Sequence, residues 1–438
     1  MSFTRTLRAV SGAVVAGALL FGTAPVAAAD QIRNDQWPLQ KFDAESIWKI
    51  STGKGVTVAV IDDPVDGSHA DLEGNVLPGK SFISGGTGDH AYQQREHGTA
   101  MASLIAGHGH GPGGADGVKG LAPDAKILPV GTDTGSSDFA GPLRYAVDQG
   151  AKVVNMSFGT GSSELSPEEQ QAIDYARKHD VLLIAATGND GVGTPKFPAA
   201  APGVLAVGAV DDHGYVWEKS NYGPHVKLIA PGVHIRSASP VEDVNGKYRL
   251  ANGTSDATAY VSATAALLRS KFPNLTAGQV ANRMIKTAAI PVDMPNMKLP
   301  DPHYGYGFIK PFSALTKDVP AGSKDGPFPA LTGGASSDPS SAAGNNEAGP
   351  KITSHKGLSV PFLILVGVVG LVLVVIIVVV VLVAKKNRRN GPPPGGFGGP
   401  GGPGGPGGFV PNPQGPYQQQ PGAPGSYPQA PPTQPPGR

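Results

Sequence analysis

Cysteine is absent from all 438 residues, which excludes disulfides and thiolate metal sites. Export is not excluded with them, because a chain leaves the cytoplasm perfectly well without disulfides. A surplus of one charge is also lacking. Thirty-five Lys and Arg stand against 34 Asp and Glu, a formal net charge of +1, and a nucleic-acid partner needs a strongly positive face for its phosphates. Nucleic acid is therefore set aside as a partner. What the chain holds in quantity is glycine, 62 residues, and proline, 43, spread so unevenly that much of the tail is not globular. One large domain fits better than the two or three the length allows.

The two ends read as processing and anchoring segments. Arg5 and Arg8, the apolar run from Ala13 to Phe21 and Ala27-Ala28-Ala29 before Asp30 have the order of a secretory signal peptide over residues 1–29. Residues 30–53, with Trp37 and Trp48, are too few to fold alone and read as an N-terminal arm packed on the body. At the other end, 317–357 turns to Gly, Ser, Pro, Ala and Asn, the composition of a flexible linker. Leu358 to Ala384 is then uncharged and apolar over about 27 residues, where ~20 suffice for a transmembrane helix. Lys385, Lys386, Arg388 and Arg389 follow at once, and the positive-inside rule places them in the cytoplasm. The folded body then faces outward, the chain is a single-pass cell-membrane protein, and residues 385–438, rich in Gly and Pro, form a disordered cytoplasmic tail.

Between these ends, apolar runs recur at 55–62, 125–130, 152–156, 181–186, 204–210 and 226–230, as in strands buried on both faces. Helical patterns alternate with them: 97–106, 142–149, a segment opened by Ser166-Pro167-Glu168-Glu169, another over 255–270, and one capped by Thr276 and Gln279. Strands alternating with helices imply an α/β fold with a mostly parallel sheet covered on both sides, and in such sheets ligands gather beyond the carboxyl ends of the strands.

Three residues stand out on this frame. Asp62 ends a buried run, where a carboxylate needs partners or solvent. His97 opens a helix in Glu96-His97-Gly98-Thr99, and Ser255 opens another in Gly253-Thr254-Ser255, where unpaired N–H groups and the helix dipole favour negative charge. Taken alone, Gly-Thr-Ser is equally a plain helix cap. The order Asp, His, Ser is one known arrangement of orienting acid, base and nucleophile.

With those residues in view, the chain resembles the subtilisin-like serine proteases, over about Trp37 to Leu315. The resemblance rests on Val58-Ala59-Val60-Ile61-Asp62 with His69-Ala70-Asp71-Leu72, His97-Gly98-Thr99-Ala100-Met101-Ala102, Val154-Asn155-Met156-Ser157-Phe158-Gly159, Ala185-Ala186-Thr187-Gly188-Asn189 and Gly253-Thr254-Ser255. It implies a subtilisin-like three-layer sandwich over a peptidase domain at 54–316. It further implies Ser255 as nucleophile, His97 as its base, Asp62 as the acid that holds the histidine's tautomer, and Asn189 as a side-chain donor to the oxyanion. Ser157, Phe158 and Gly159 match the edge that pairs with an extended substrate. His69 matches a position that supports the aspartate loop. The substrates implied are proteins or peptides, with no cofactor, and no metal ligand is assigned. His108 and His110, without carboxylate or thiol companions nearby in sequence, read as a solvated loop rather than a metal site.

The chain departs from the family pattern at several positions. Asp63-Pro64 stands where a small hydroxyl residue and glycine are usual, Glu96 replaces a glycine, Ala259 a proline and Ala263 a glycine. A signal, a protease-like domain, a linker and one C-terminal span with a basic stop together resemble the mycosin branch of membrane-anchored subtilases, which implies type VII secretion machinery as a partner. That branch usually carries disulfides, and this chain has none to form. Nor is the arm before Gly53 long enough to act as a folding-assisting prodomain. Two functions stay open at this level: an active endopeptidase that processes exported proteins, and a catalytically weak or silent scaffold of a secretion complex, the latter motivated by Asp63-Pro64 and the long tail.

Overall fold

A computed structural model of the chain describes residues 29–331, except positions 84, 92–94, 136–137, 161, 163, 244–245 and 292–293. Residues 1–28 of the expected signal peptide, the expected span at 358–384 and the expected tail lie outside the described residues. Among those described, no helix is long and apolar enough to cross a membrane.

Three short helices come first, α1 (Ala29–Asn34), α2 (Trp37–Phe42) and α3 (Ala44–Trp48). They lead into β1 (Thr57–Asp62), β2 (Lys80–Ser81), α4 (His97–Ala106), β3 (His108–His110), β4 (Asp116–Lys119) and β5 (Lys126–Gly131). Next are α5 (Ala140–Asp148), β6 (Val153–Met156), α6 (Pro167–Lys178), β7 (Leu182–Ala186), β8 (Val204–Val210) and β9 (Val226–Pro231). A hairpin of β10 (Ile235–Asp243) and β11 (Gly246–Ala251) precedes α7 (Thr254–Lys271), α8 (Ala277–Thr287) and α9 (Pro311–Thr316).

Seven strands form one sheet in the order β2-β5-β1-β6-β7-β8-β9, with every neighbouring pair parallel. Successive side chains of a strand face opposite sides, so the central strands feed two cores. Val58, Val60, Leu182, Ile184 and Leu205 join the core under α4, α7, α8 and α9. Ala59, Ile61, Leu183, Ala185 and Ala206 join the one under α5 and α6. This is the α/β, three-layer, mostly parallel arrangement that the alternating runs imply. The capping signals act as read: Ser166 and Glu169 form a reciprocal capping box at the start of α6, and Thr276 and Gln279 another at the start of α8.

The N-terminal segment is built into the body. Leu39, Phe42 and Ile47 enter the first core, the Phe42 ring meets Tyr260 of α7 edge-on at 5.7 Å, and the Trp37 indole donates to the Val233 carbonyl at 3.1 Å.

Two features differ from the sequence reading. Among the described residues, the β10–β11 hairpin pairs only with itself, and its mixture of buried small or polar residues with half-exposed ones leaves no apolar run to detect. Secondly, residues 317–331, read as the start of a flexible linker, form a strap over α8. Arg283 of α8, 8% exposed, donates to the carbonyls of Ala314 at 2.5 Å and Val319 at 3.2 Å, and to that of Lys317. Thr276 and Gln279 bind the carbonyls of Lys324 and Gly322, and Phe328 packs against the first core. Composition misses the strap because its contacts run through backbone carbonyls, which every residue carries. Arg283→Ala should destabilise the domain by about 2–4 kcal/mol, since it strips a charged donor from three carbonyls. Urea unfolding measures the loss, and an unchanged midpoint would mean that the strap contributes nothing.

Candidate active site

β1 brings Asp62 to the carboxyl edge of the sheet with the side chain fully buried. Its Oδ1 accepts from His97 Nδ1 at 2.7 Å and from the backbone N–H of Asp63 at 2.8 Å, while Oδ2 is buried without a hydrogen-bond partner among the described residues. An ionised carboxylate only accepts, so the proton lies on Nδ1 and the neutral ring presents Nε2 as a free base. Burial of the His97 ring disfavours its charged form, but the charge of Asp62 and the hydrogen bond to it outweigh burial and raise the histidine above its ordinary value of 6.5. The ring sits where it does because α4 starts against the loop after β1. A Cβ on Gly98 would fall on the carbonyl oxygen of Asp63, so this close approach requires glycine.

α7 starts at Thr254, and Ser255 lies in its first turn at 7% exposure. The Ser255 hydroxyl donates to the Ser157 carbonyl at 2.9 Å, and among the described hydrogen bonds none joins Ser255 to His97. Ser157 Oγ donates in turn to the Ser255 carbonyl at 3.0 Å. Behind this exchange, Asn155 Nδ2 donates to Ser157 Oγ and Ser262 Oγ donates to Asn155 Oδ1, each at 2.9 Å. A buried polar seam therefore joins the end of β6 to α7.

Asn189 follows β7. Its Oδ1 accepts from the backbone N–H of Thr254 at 2.9 Å and from Thr254 Oγ1 at 2.8 Å. A backbone N–H only donates, so the amide's orientation is dictated and Nδ2 is left as a donor with no acceptor among the described hydrogen bonds. A Cβ placed on Gly253 would stand 3.6 Å from both Asn189 Nδ2 and the backbone nitrogen of Ser255. Two donors thus converge on the space beside the Ser255 turn, at the positive end of an 18-residue helix. Of the residues predicted from separate stretches, Asp62 and His97 are joined through β1 and α4, while Asn189 is joined to α7 at Thr254, next to Ser255, whose hydroxyl is held by Ser157. Phe158 is buried at 8% exposure. Gly159 has room for a Cβ, which would meet the Lys196 side chain at an ordinary 3.4 Å, so the protein's own packing does not require glycine there.

The departures are accommodated. Asp63 turns its carboxylate to Arg95 Nη1 at 2.8 Å and does not share the Asp62 pocket. Its carboxyl is pushed up by burial and by the neighbouring Asp62 charge, with the bond to Arg95 opposing. Ala259 and Ala263 are fully buried in α7. His69 Nε2 donates to the Lys247 carbonyl at 3.0 Å while its Nδ1 accepts from Asp71 N–H, a structural role. The expectation of a solvated loop at His108 and His110 is corrected. They form β3, and His110 Nδ1 lies 2.5 Å from Asp71 Oδ1, a carboxylate that sequence distance hides. Among the described residues, Asp211, Asp212 and His213 place donor atoms within 4.8 Å of one another, but Asp211 Oδ1 already accepts from the N–H groups of His213 and Tyr215 in an exposed turn.

Three residues of the site carry no assignment from sequence. Thr254 fixes Asn189. Asp256 is buried at 1% exposure beside Ser255, and its signal is a lone acid in an otherwise uncharged stretch from Gly253 to Leu268. Arg249, 3.7 Å from Asp256, has no sequence signal at all, because its partners come from other segments.

Residues 53–307 match the model of the Subtilase family, Peptidase_S8. The chain is similar to fervidolysin of Fervidobacterium pennivorans, 32% identical over 326 residues that cover 66% of this chain and 45% of fervidolysin. It is also similar to a thermophilic serine proteinase of Bacillus sp. strain AK1, 34% identical over 292 residues, 64% of this chain and 67% of that protein. It thus spans under half the length of the first of these relatives and about two thirds of the second. The crystal structure of MycP1 from the ESX-1 type VII secretion system is 29% identical, with a TM-score of 0.56 over 67% of this chain and 88% of that one.

Two measurements check the geometry. In an NMR titration, His97 should lose its proton above the ordinary histidine midpoint, and Asp62→Asn should lower that midpoint by removing the charge that raises it. An unmoved midpoint would contradict the Asp62–His97 pairing. Gly98→Ala should cost about 1–3 kcal/mol of stability through overpacking against Asp63 and disturb the His97 resonance, whereas a silent substitution would mean that α4 need not approach β1 so closely.

Proposed function

Because the chain belongs to the subtilase family, we propose that it is a serine endopeptidase that cleaves protein or peptide substrates through an acyl-enzyme. The observation that carries this reading is the 2.7 Å contact between the buried Asp62 and His97 Nδ1, which leaves Nε2 as the base. In the reaction, Ser255 Oγ attacks the scissile carbonyl and passes its proton to His97 Nε2. Asp62 steadies the imidazolium that forms, without taking the proton itself. Negative charge on the carbonyl oxygen is received by the Ser255 N–H and Asn189 Nδ2. His97 then protonates the leaving amine, and water, activated by the same base, releases the acyl group from Ser255.

Ser157 has a second part in this scheme. Its carbonyl accepts the Ser255 hydroxyl in the free protein. A substrate strand laid along Ser157, Phe158 and Gly159 offers backbone N–H groups to that edge, and occupation of the Ser157 carbonyl frees the hydroxyl to turn to His97. The nucleophile is then armed by the chain it is to cut.

The setting proposed is the outer face of a cell membrane, with the chain exported, anchored by 358–384 and acting on exported proteins. The basic stop after that run and the signal-like start support it, and the likeness to MycP1 supports an association with type VII secretion machinery. The alternative of a silent scaffold is motivated by Asp63-Pro64 and by the long tail; the pairing of Asp63 with Arg95 weakens the first motive and leaves the second.

Hydrolysis of an unfolded protein such as casein tests the reading. Ser255→Ala should lower kcat by roughly a millionfold. Asn189→Ala should lower it by ~10²–10³ with little change in KM, because its donor acts on charge present only in the transition state. Casein cleavage that survives Ser255→Ala, or a folded wild-type domain that never cleaves, would overturn it.

A further inference from the structure

Charged side chains with no part in the reaction above converge between the two helices that carry it. Arg249 of β11 is 17% exposed. Its Nε donates across the hairpin to Ser237 Oγ at 3.2 Å, and its two other nitrogens face carboxylates, Nη1 at 3.7 Å from Glu96 Oε1 and Nη2 at 3.7 Å from Asp256 Oδ1. Glu96 immediately precedes His97, and Asp256 immediately follows Ser255. Ser239 of β10 donates to Glu96 Oε2 at 2.9 Å, so the same hairpin holds both ends of this bridge.

Asp256 is the member that most needs a counter-charge. It is buried, and its Oδ1 has no hydrogen-bond partner among the described residues. A Cβ on Gly253, which would stand beside the two converging donors, would lie 3.2 Å from Asp256 Oδ2. A negative charge there opposes the charge that develops on a substrate carbonyl. Burial pushes the Asp256 carboxyl up, and Arg249 and then His97 oppose that push.

We propose that Arg249 is a positioning residue of the peptidase site, which ties the starts of α4 and α7 together through Glu96 and Asp256 and balances the charge of Asp256 against His97. The inference rests on the reading of Ser255 as nucleophile and His97 as its base. The charged groups that act on His97 are Asp62 from β1, Asp63 (itself paired with Arg95), Arg249 from β11 and Asp256 from α7, with Glu96 adjoining it in the chain and paired with Arg249, and Tyr260 facing Asp256 from within α7. Of these, Arg249 opposes the imidazolium and Asp256 favours it. Removing one or the other must therefore move His97 in opposite directions.

The test is the pH dependence of covalent labelling of the full chain by a fluorophore-bearing fluorophosphonate, which needs a neutral His97 but no knowledge of the substrate. Arg249→Met should move the acid limb of the labelling rate to higher pH, and Asp256→Asn should move it to lower pH. The double variant should fall between them, and Arg249→Lys, which keeps the charge, should return the limb toward that of the wild type. A purely structural role would lower the rate at every pH without moving the limb. If Arg249→Met does not fold, as read by circular dichroism, Asp256→Asn and Arg249→Lys carry the test. A labelled wild type whose limb stays in place in Asp256→Asn would overturn the proposal while leaving the protease reading intact. A folded wild type that takes no label would overturn both.

Discussion

A carboxylate sealed from water at the end of a strand survives only where its surroundings are built to receive it. Much of this molecule's active face follows from that demand at Asp62. β1 has to deliver the residue to the sheet's carboxyl edge, between β5 and β6. α4 has to begin at His97, so that the ring nitrogen meets Oδ1, and Gly98 has to lack a side chain for that helix to come so close. Asp63 has to turn outward, and Arg95 receives it. Each condition is met by a different segment, and the parallel sheet is what brings those segments to one edge.

On the other side, α7 carries the hydroxyl and also runs through the first core, with Tyr260, Val261, Leu267 and Leu268 buried. Its register is set by packing along its length and by the polar seam through Ser262, Asn155 and Ser157. A helix anchored in that way holds its first turn rigidly, and the orientation of the Asn189 amide follows from the Thr254 N–H at that turn. The adjustable parts are small: the Ser255 hydroxyl, shared with the Ser157 carbonyl, and the charge pair of Arg249 and Asp256.

How much of this was legible in the sequence depended on whether a residue's role is local. The buried runs and the capping boxes at Ser166 and Thr276 announce elements within a few residues of themselves, and the layered fold could be read from them. Asp62, His97, Asn189 and Ser255 could be singled out as candidates because each lies at an element's end, in a motif shared with a family. Arg249, the strap beyond Lys317 and the His110–Asp71 pair were not. Their contacts join segments far apart in the chain, through a guanidinium, a row of carbonyls and a carboxylate whose partners only the folded sheet brings near. Asp63-Pro64 was legible as a departure, but the ion pair that receives Asp63 was not, because Arg95 is brought to it by geometry alone.

The most direct measurement is to map the adduct formed when the folded chain reacts with a fluorophosphonate, by mass spectrometry of its proteolytic peptides. Catalysis by Asp62, His97 and Ser255 predicts one phosphonyl group, on the peptide that contains Ser255, and its loss when His97 is replaced by alanine in a domain that remains folded. An adduct on another serine, or labelling of Ser255 that persists without His97, would contradict it.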